Sequence, residues 1–175
     1  MNKETGPHVS PDQFRRGMRH VPTVVTVVTY DAVAGPIGLT IGSFVSLSLE
    51  PPLVCFNVQK DSTIHDELVK ADRFLVHVLR DDQAAISDQF AVAELSTGDK
   101  MLPGAIEEGP HGLPSLSAYL VRFDCRTTVV YDGGDHSIML GCVEGIDEGS
   151  EARPIVYHQR AYHAIGTHVA DRSTL

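Results

Sequence analysis

Clustered basic residues are missing from this sequence, in which 14 Lys and Arg stand against 23 Asp and Glu for a net charge of −9. Without a basic stripe to neutralise a phosphate backbone, DNA and RNA are not expected partners. No run of 18 apolar residues exists, so no helical membrane span is expected. The stretch from Met1 to His20 has no apolar segment of signal-peptide type. A soluble, cytoplasmic protein without a membrane partner is the expectation. Cysteine is scarce as well. Cys55, Cys125 and Cys142 are odd in number, widely spaced and set among apolar residues, the pattern of reduced core thiols rather than disulfides. Neither Cys-x-x-Cys nor His-Glu-x-x-His occurs. His158, His163 and His168 are spaced by five, so on one extended strand successive members point to opposite faces, and no metal site is expected. Repeats, low-complexity tracts and linkers are also absent. The expectation is a single domain over 1–175 with its core at about 13–165.

What is present is an ordinary globular composition, 42% hydrophobic and 21% charged. Residues 12 to 20 suit a short helix, and Thr23 to Tyr30 is a β-branched run that favours a strand. After the Gly35-Pro36 turn, Ile37 to Leu49 reads with period two. Ile37, Leu39, Ile41, Val45, Leu47 and Leu49 take one side and Thr40, Gly42, Phe44, Ser46 and Ser48 the other. Leu53 to Val58 reads as a buried strand after Pro51-Pro52. Ser62 or Thr63 is placed to cap a short helix, followed by a strand at Phe74 to Leu79 and a helix capped by Asp81 or Asp82 with Ile86 and Phe90 one turn apart. Residues 93 to 114 read as a surface excursion. Tyr119 to Tyr131 alternates as a long strand with one wet face, Asp132-Gly133-Gly134-Asp135 makes a hairpin turn, and strands follow near Ser137 to Ile146 and Ile155 to Ile165. Strands outnumber helices and are joined mostly by turns. A mainly β fold follows, an antiparallel barrel with a few flanking helices.

The second strand carries the most informative chemistry. Thr40, Ser43, Ser46 and Ser48 set neutral hydroxyls beside apolar surface, which suits a flat, uncharged heteroaromatic ring with hydrogen-bonding edges, and a flavin is one. Spacing alone leaves open a plain solvent-facing strand side. Net charge does not exclude a nucleotide, because a few local cations and backbone N–H groups can hold a phosphate on an acidic protein.

The stretch from Gly38 to Val54 resembles the signature of the flavin reductase family with the FMN-binding split-barrel fold, the reductase components of two-component flavin-dependent monooxygenases. The resemblance continues through Lys60-Asp61-Ser62 with His65, Arg73-Phe74, Gly134-Asp135-His136, and Pro154 to His158 with Arg160 and Tyr162. It implies that Thr40, Ile41, Gly42 and Ser43 approach the flavin phosphate and ribityl chain, while Ser46, Ser48 and Asn57 border the isoalloxazine. Lys60, Asp61, Ser62 and His65 would complete the phosphate end, with Lys100 more distant. His136 would lie where nicotinamide docks, orienting it or supplying a proton. Similar proteins usually carry Ser at the position of Gly42 and Thr at that of Ile64, so two hydroxyls are absent here.

The resemblance further implies a homodimer, with the Tyr119 to Tyr131 strand offering apolar surface. It also implies reversible binding of FMN or FAD, NADH or NADPH as hydride donor, and a separate monooxygenase that receives the reduced flavin. Two other readings stay open: a non-catalytic flavin-binding electron carrier of the same fold, and an oxidoreductase that holds flavin as a permanent prosthetic group.

Overall fold

The computed structural model describes residues 9–91 and 105–166. The elements in chain order are α1 (Pro11–Met18), β1 (Thr23–Val24), β2 (Thr26–Ala32), β3 (Gly35–Ile41), β4 (Val45–Leu49), β5 (Pro52–Gln59), α2 (His65–Leu68), β6 (Arg73–Val78) and α3 (Ala84–Ala91). After these come β7 (Ile106–Glu108), a 3-10 turn at Pro110–Gly112, β8 (Pro114–Leu116), β9 (Val121–Gly133), β10 (His136–Glu148), β11 (Ile155–His158) and β12 (Ala161–Ala164). The fold is mainly antiparallel β.

Seven strands form one sheet in the order β3-β2-β6-β9-β10-β5-β4. Its two edge strands are consecutive in the chain, joined only by Gly42, Ser43 and Phe44. Six inter-strand spacings of about 4.8 Å would put the edges of a flat sheet roughly 29 Å apart. Three linking residues span at most about 14 Å. The sheet therefore curls back on itself, with its edges near each other but not hydrogen-bonded.

The curl encloses a core to which β2, β3, β5, β6, β9 and β10 all contribute, with Val28, Tyr30, Phe56, Phe74, Cys125 and Met139 at its centre. Phe56 and Phe74 meet edge to face at 5.3 Å, the arrangement that aromatic quadrupoles favour. Burial pushes the Cys125 thiol up to about 12, helped by the neighbouring Asp124 carboxylate, so this cysteine stays an inert thiol. A second apolar cluster lies on the other face of β2, with Val25, Val27, Leu79, Phe90, Leu116 and Ile155. It explains why five successive residues of β2, Thr26 to Tyr30, are buried, as expected where both faces of a strand are covered.

The stretch predicted as a surface excursion is partly core. Leu113 to Leu116 are buried, and Thr29 Oγ1 donates to the Pro114 carbonyl. His77 organises this region. It is fully buried, its Nδ1 lies 3.2 Å from the Val27 carbonyl, and its Nε2 accepts the Leu116 N–H at 3.2 Å. Nδ1 therefore carries the proton. Burial, opposed in part by the bond to Val27, lowers the pKa of this imidazole to about 3.

Several sequence expectations need correction. The run Ile37 to Leu49 is two strands broken at 42–44, and beyond the break Val45, Leu47 and Leu49 are 51%, 52% and 93% exposed. Alternation along β9 does not persist, because the register between β9 and β10 shifts between Leu140 and Gly141, where Thr128 is the extra residue on β9; a second shift, between Val143 and Gly145, leaves Glu144 as the extra residue on β10. Each extra residue reverses which side chains face inward. Val130 consequently packs on the core while Tyr131 is exposed. The unpaired Glu144 takes ion pairs from Arg126 at 2.6 Å and Arg73 at 2.8 Å. Neither Ser62 nor Thr63 caps α2, whose N-cap is Ile64 without a side-chain bond. Asp81 and Asp82 pair with Arg153 and Arg80, and the Gln83 carbonyl accepts the Ser87 N–H at the start of α3.

The segment 155–165 is a hairpin rather than one strand. Its fold-back sets the His158 and His163 rings 6.0 Å apart, so the opposite-face argument fails for this pair. His168 and Lys100 lie outside the described residues.

Candidate active site

A cleft of about 860 Å³ opens where the seam between β3 and β4 meets the end of β5, the β9–β10 turn and the β11–β12 turn. One wall is Leu39 to Ser43. Thr40 Oγ1 donates to the Ser87 carbonyl at 2.7 Å, which fastens the end of β3 to α3. Ser43 Oγ accepts the Asn57 N–H at 2.9 Å. A hydroxyl used as acceptor keeps its own proton for a ligand.

Gly42 sits between these residues with an ordinary backbone. A Cβ there would stand 3.1 Å from Thr23 Oγ1. The glycine is thus not required by a left-handed conformation, and Thr23 would have to give slightly to admit a side chain. The other departure has a different explanation. Ile64 is buried in the core beside Tyr30, whose hydroxyl donates to the Ile64 carbonyl at 3.4 Å.

The opposite wall comes from Asn57, Gln59, Asp61 and Ser62. The hydroxyl oxygen of Ser62 is buried and has no hydrogen-bond partner among the described residues. Such a group costs free energy unless something pairs with it. Backbone N–H groups expected to hold an anion here are mostly committed: Lys60 to the Asp135 carbonyl at 3.0 Å, Ser62 to Gln59 at 3.1 Å and His65 to Ser62 at 3.1 Å.

His136 lines the cleft from the start of β10. Its Nδ1 lies 2.7 Å from Asp135 Oδ1, and hydrogen bonding to His136 holds the Asp135 carboxyl below the ordinary range. Nε2 is left for a ligand.

Not every expected residue meets the cleft. Lys60 is ion-paired with Asp132 and donates to the Gly134 carbonyl at 2.6 Å, so it braces the hairpin turn. His65 bridges Asp66 and Ser137, each at 2.9 Å. Ser46 and Ser48 lie on β4 past the seam and do not line the cavity.

Sequence reasoning missed a third wall. Arg15, Met18, Arg19 and Val21, from α1 and just after it, together with Tyr157 to Arg160 from the β11–β12 turn, complete the lining. Helix α1 has a full capping box between Ser10 and Gln13 and buries none of its residues. Its C-terminal end is held to the turn by the Gln159 N–H donating to the Arg19 carbonyl at 3.2 Å. An adjoining recess of about 380 Å³ is lined by Thr40, Ser87, Asp88 and Tyr162, whose hydroxyl donates to Asp88 at 2.8 Å.

Comparison with known proteins gives the family. The chain is 39% identical over 128 residues to the FMN reductase (NADH) SmoA of Agrobacterium fabrum, covering 73% of this chain and 71% of that one. It is 35% identical over 154 residues to the 4-hydroxyphenylacetate 3-monooxygenase reductase component of Thermus thermophilus, covering 88% and 96%. Among solved structures, the Streptomyces globisporus NADH:FAD oxidoreductase SgcE6, in complex with NAD and FAD fragments, superposes with a TM-score of 0.82 at 30% identity, covering 92% of this chain and 98% of that one. Residues 18–166 match the flavin reductase like domain, and the chain belongs to that family.

Proposed function

We propose that this protein is an NAD(P)H:flavin oxidoreductase that binds FMN or FAD reversibly in the cleft and releases the reduced flavin to a separate flavin-dependent monooxygenase. The carrying observation is that one cavity is lined by Ser43, whose hydroxyl keeps its proton, by Ser62 and by His136. The residues fit a flavin: neutral donors at the seam for the ribityl chain and phosphate, and cations on the third wall for negative charge. When bound, the flavin accepts a hydride at N5 from C4 of the nicotinamide. The chain's own part is positional. Ser43, Asn57 and Ser62 fix the flavin edge, the third wall shields the opening, and His136 orients the nicotinamide over the flavin face.

The reading extends to a single cytoplasmic domain that works as a homodimer. Among the described residues no helix is long and apolar enough to cross a membrane. The exposed side chains of Val45, Leu47 and Leu49 on the edge strand β4 are apolar surface that supports pairing with a second copy, as is the exposed Tyr131 of the Tyr119 to Tyr131 stretch.

Steady-state oxidation of NADH and NADPH with FMN, FAD and riboflavin in turn tests the function, alongside fluorescence titration of each flavin. Turnover that requires added flavin is expected. A flavin that co-purifies stoichiometrically and resists dialysis would favour the prosthetic-group reading instead. Absence of flavin binding up to high micromolar concentrations would overturn the proposal.

A further inference from the structure

We propose that Arg19 and Arg160, together with Arg15, form a second anion subsite in the cleft, which takes a nucleotide phosphate other than the flavin 5′-phosphate. This rests on the cleft being the flavin and nicotinamide site. The ligand chemistry is a diphosphate or ribose phosphate, supplied by FAD or by the nicotinamide nucleotide.

The first observation is electrostatic. Three guanidinium groups and one carboxylate, Asp61, belong to residues lining the cavity, on a chain whose net charge is −9. A concave surface of one sign concentrates the opposite charge. Arg73, Arg80, Arg122, Arg126 and Arg153 each have a carboxylate partner, and Arg15 pairs with Asp12 on the exposed face of α1. Arg19 and Arg160 have no ion pair among the described residues. Arg16 has none either, but it does not line the cleft.

The second observation concerns the backbone. Gln159 and Arg160 hold φ at +51° and +64°, as the two central residues of a tight hairpin that normally takes Asn-Gly. Side chains disfavour this region, and glycine enters it freely. An arginine there places a guanidinium at the cavity that glycine could not supply, at a position where glycine would be the easier residue, and such strain points to function. The turn is tied to Arg19 through the Gln159 N–H, so the two unpaired arginines share one fastening. Helix α1 buries nothing, which leaves the cleft as the place where its C-terminal turn contributes.

The test uses the whole protein with Arg160→Gly, Arg160→Lys and Arg19→Ala. Dissociation constants are measured for riboflavin, FMN and FAD, and KM for NADH and NADPH. Arg160→Gly should raise the thermal midpoint while weakening at least one dinucleotide about tenfold, the loss expected for one charge-assisted contact. Riboflavin should be unchanged, and Lys should restore part of the loss. Weakening of FAD beyond FMN assigns the phosphate to the flavin, whereas a raised KM for NADPH or NADH assigns it to the nicotinamide nucleotide. Unchanged affinity for every nucleotide would overturn the subsite, as would equal loss for FMN and FAD with both KM values unchanged, or a loss shared by riboflavin. A wild-type protein that binds no flavin would instead overturn the proposed function.

Discussion

Lys60 reaches from the loop after β5 to Gly134, its ammonium 2.6 Å from the carbonyl. With the Lys60 N–H on Asp135, this fastens the loop after β5 to the turn that carries His136. Lys60→Ala should cost less than about 1 kcal/mol of stability, since its pair with Asp132 is solvent-exposed. It should lower turnover several-fold through a looser His136, with FMN and riboflavin affinities unchanged. Selective loss of FMN in a titration would instead put Lys60 on the phosphate.

His136→Ala should reduce kcat/KM for the nicotinamide nucleotide by about ten- to a hundredfold, roughly 1.4 to 2.7 kcal/mol of transition-state stabilisation. Flavin dissociation constants should move little, because the residues proposed to hold the flavin phosphate lie elsewhere in the cleft. Stopped-flow reduction at saturating flavin separates the two effects. Unchanged rate and unchanged nicotinamide affinity would return His136 to an ordinary turn residue.

Gly42→Ser should tighten FMN and FAD by about fivefold to a hundredfold, the worth of one hydrogen bond to a charged acceptor, and leave riboflavin alone. The backbone permits it, and Thr23 at 3.1 Å is the neighbour that must yield. Equal tightening of all three flavins in fluorescence titrations would place residue 42 against the ring system, and weakening of all three would mean that Thr23 does not yield.

Ser43 and His136 as lining residues of the cleft were legible because a short motif and a Gly-rich turn carry them, whereas the seam at 42–44 was read through as one strand. The third wall was not. His158, Gln159, Arg160 and Ala161 include none of the residues that usually announce a turn, so a hairpin read as one strand and its arginine dropped out of the site. The bulges at Thr128 on β9 and Glu144 on β10 were hidden for a related reason: an inserted residue leaves local propensity untouched while reversing the faces beyond it. Ser46 and Ser48 fell past the break and on either side of a register shift at Leu47, both of which only the long-range pairing of β4 with β5 reveals.

Stability should fall as pH drops from about 6.5 toward 4. His77 is held neutral in the folded chain, its pKa lowered to about 3, while in the unfolded chain it takes up a proton near 6.5. The unfolded state thus binds more protons throughout that window, and stability rises with pH by up to about 1.4 kcal/mol per unit. Urea midpoints at pH 7, 6 and 5, with NMR of the imidazole nitrogens, check this. A charged His77 in the folded protein at pH 5 would contradict it.

Leu49→Glu combined with Leu47→Glu should convert the proposed dimer to monomer at micromolar concentration, weakening association by at least about a hundredfold, since charges buried at an interface without partners are costly. Sedimentation velocity reads the change. A wild-type monomer, or a double variant that remains dimeric, would remove β4 as the contact surface.

Among the described residues, the connection Gly42-Ser43-Phe44 is the covalent tie between the two edges of the curled sheet. A molecule held between Gly42 and Ser43 on one side and Asn57 and Ser62 on the other would act there as a removable clasp. Its arrival should slow amide exchange along β3 and β4 together, although these strands share no hydrogen bond, and its departure should free both at once. Cargo release would then be a mechanical event of the whole scaffold, paced by how readily the seam springs open.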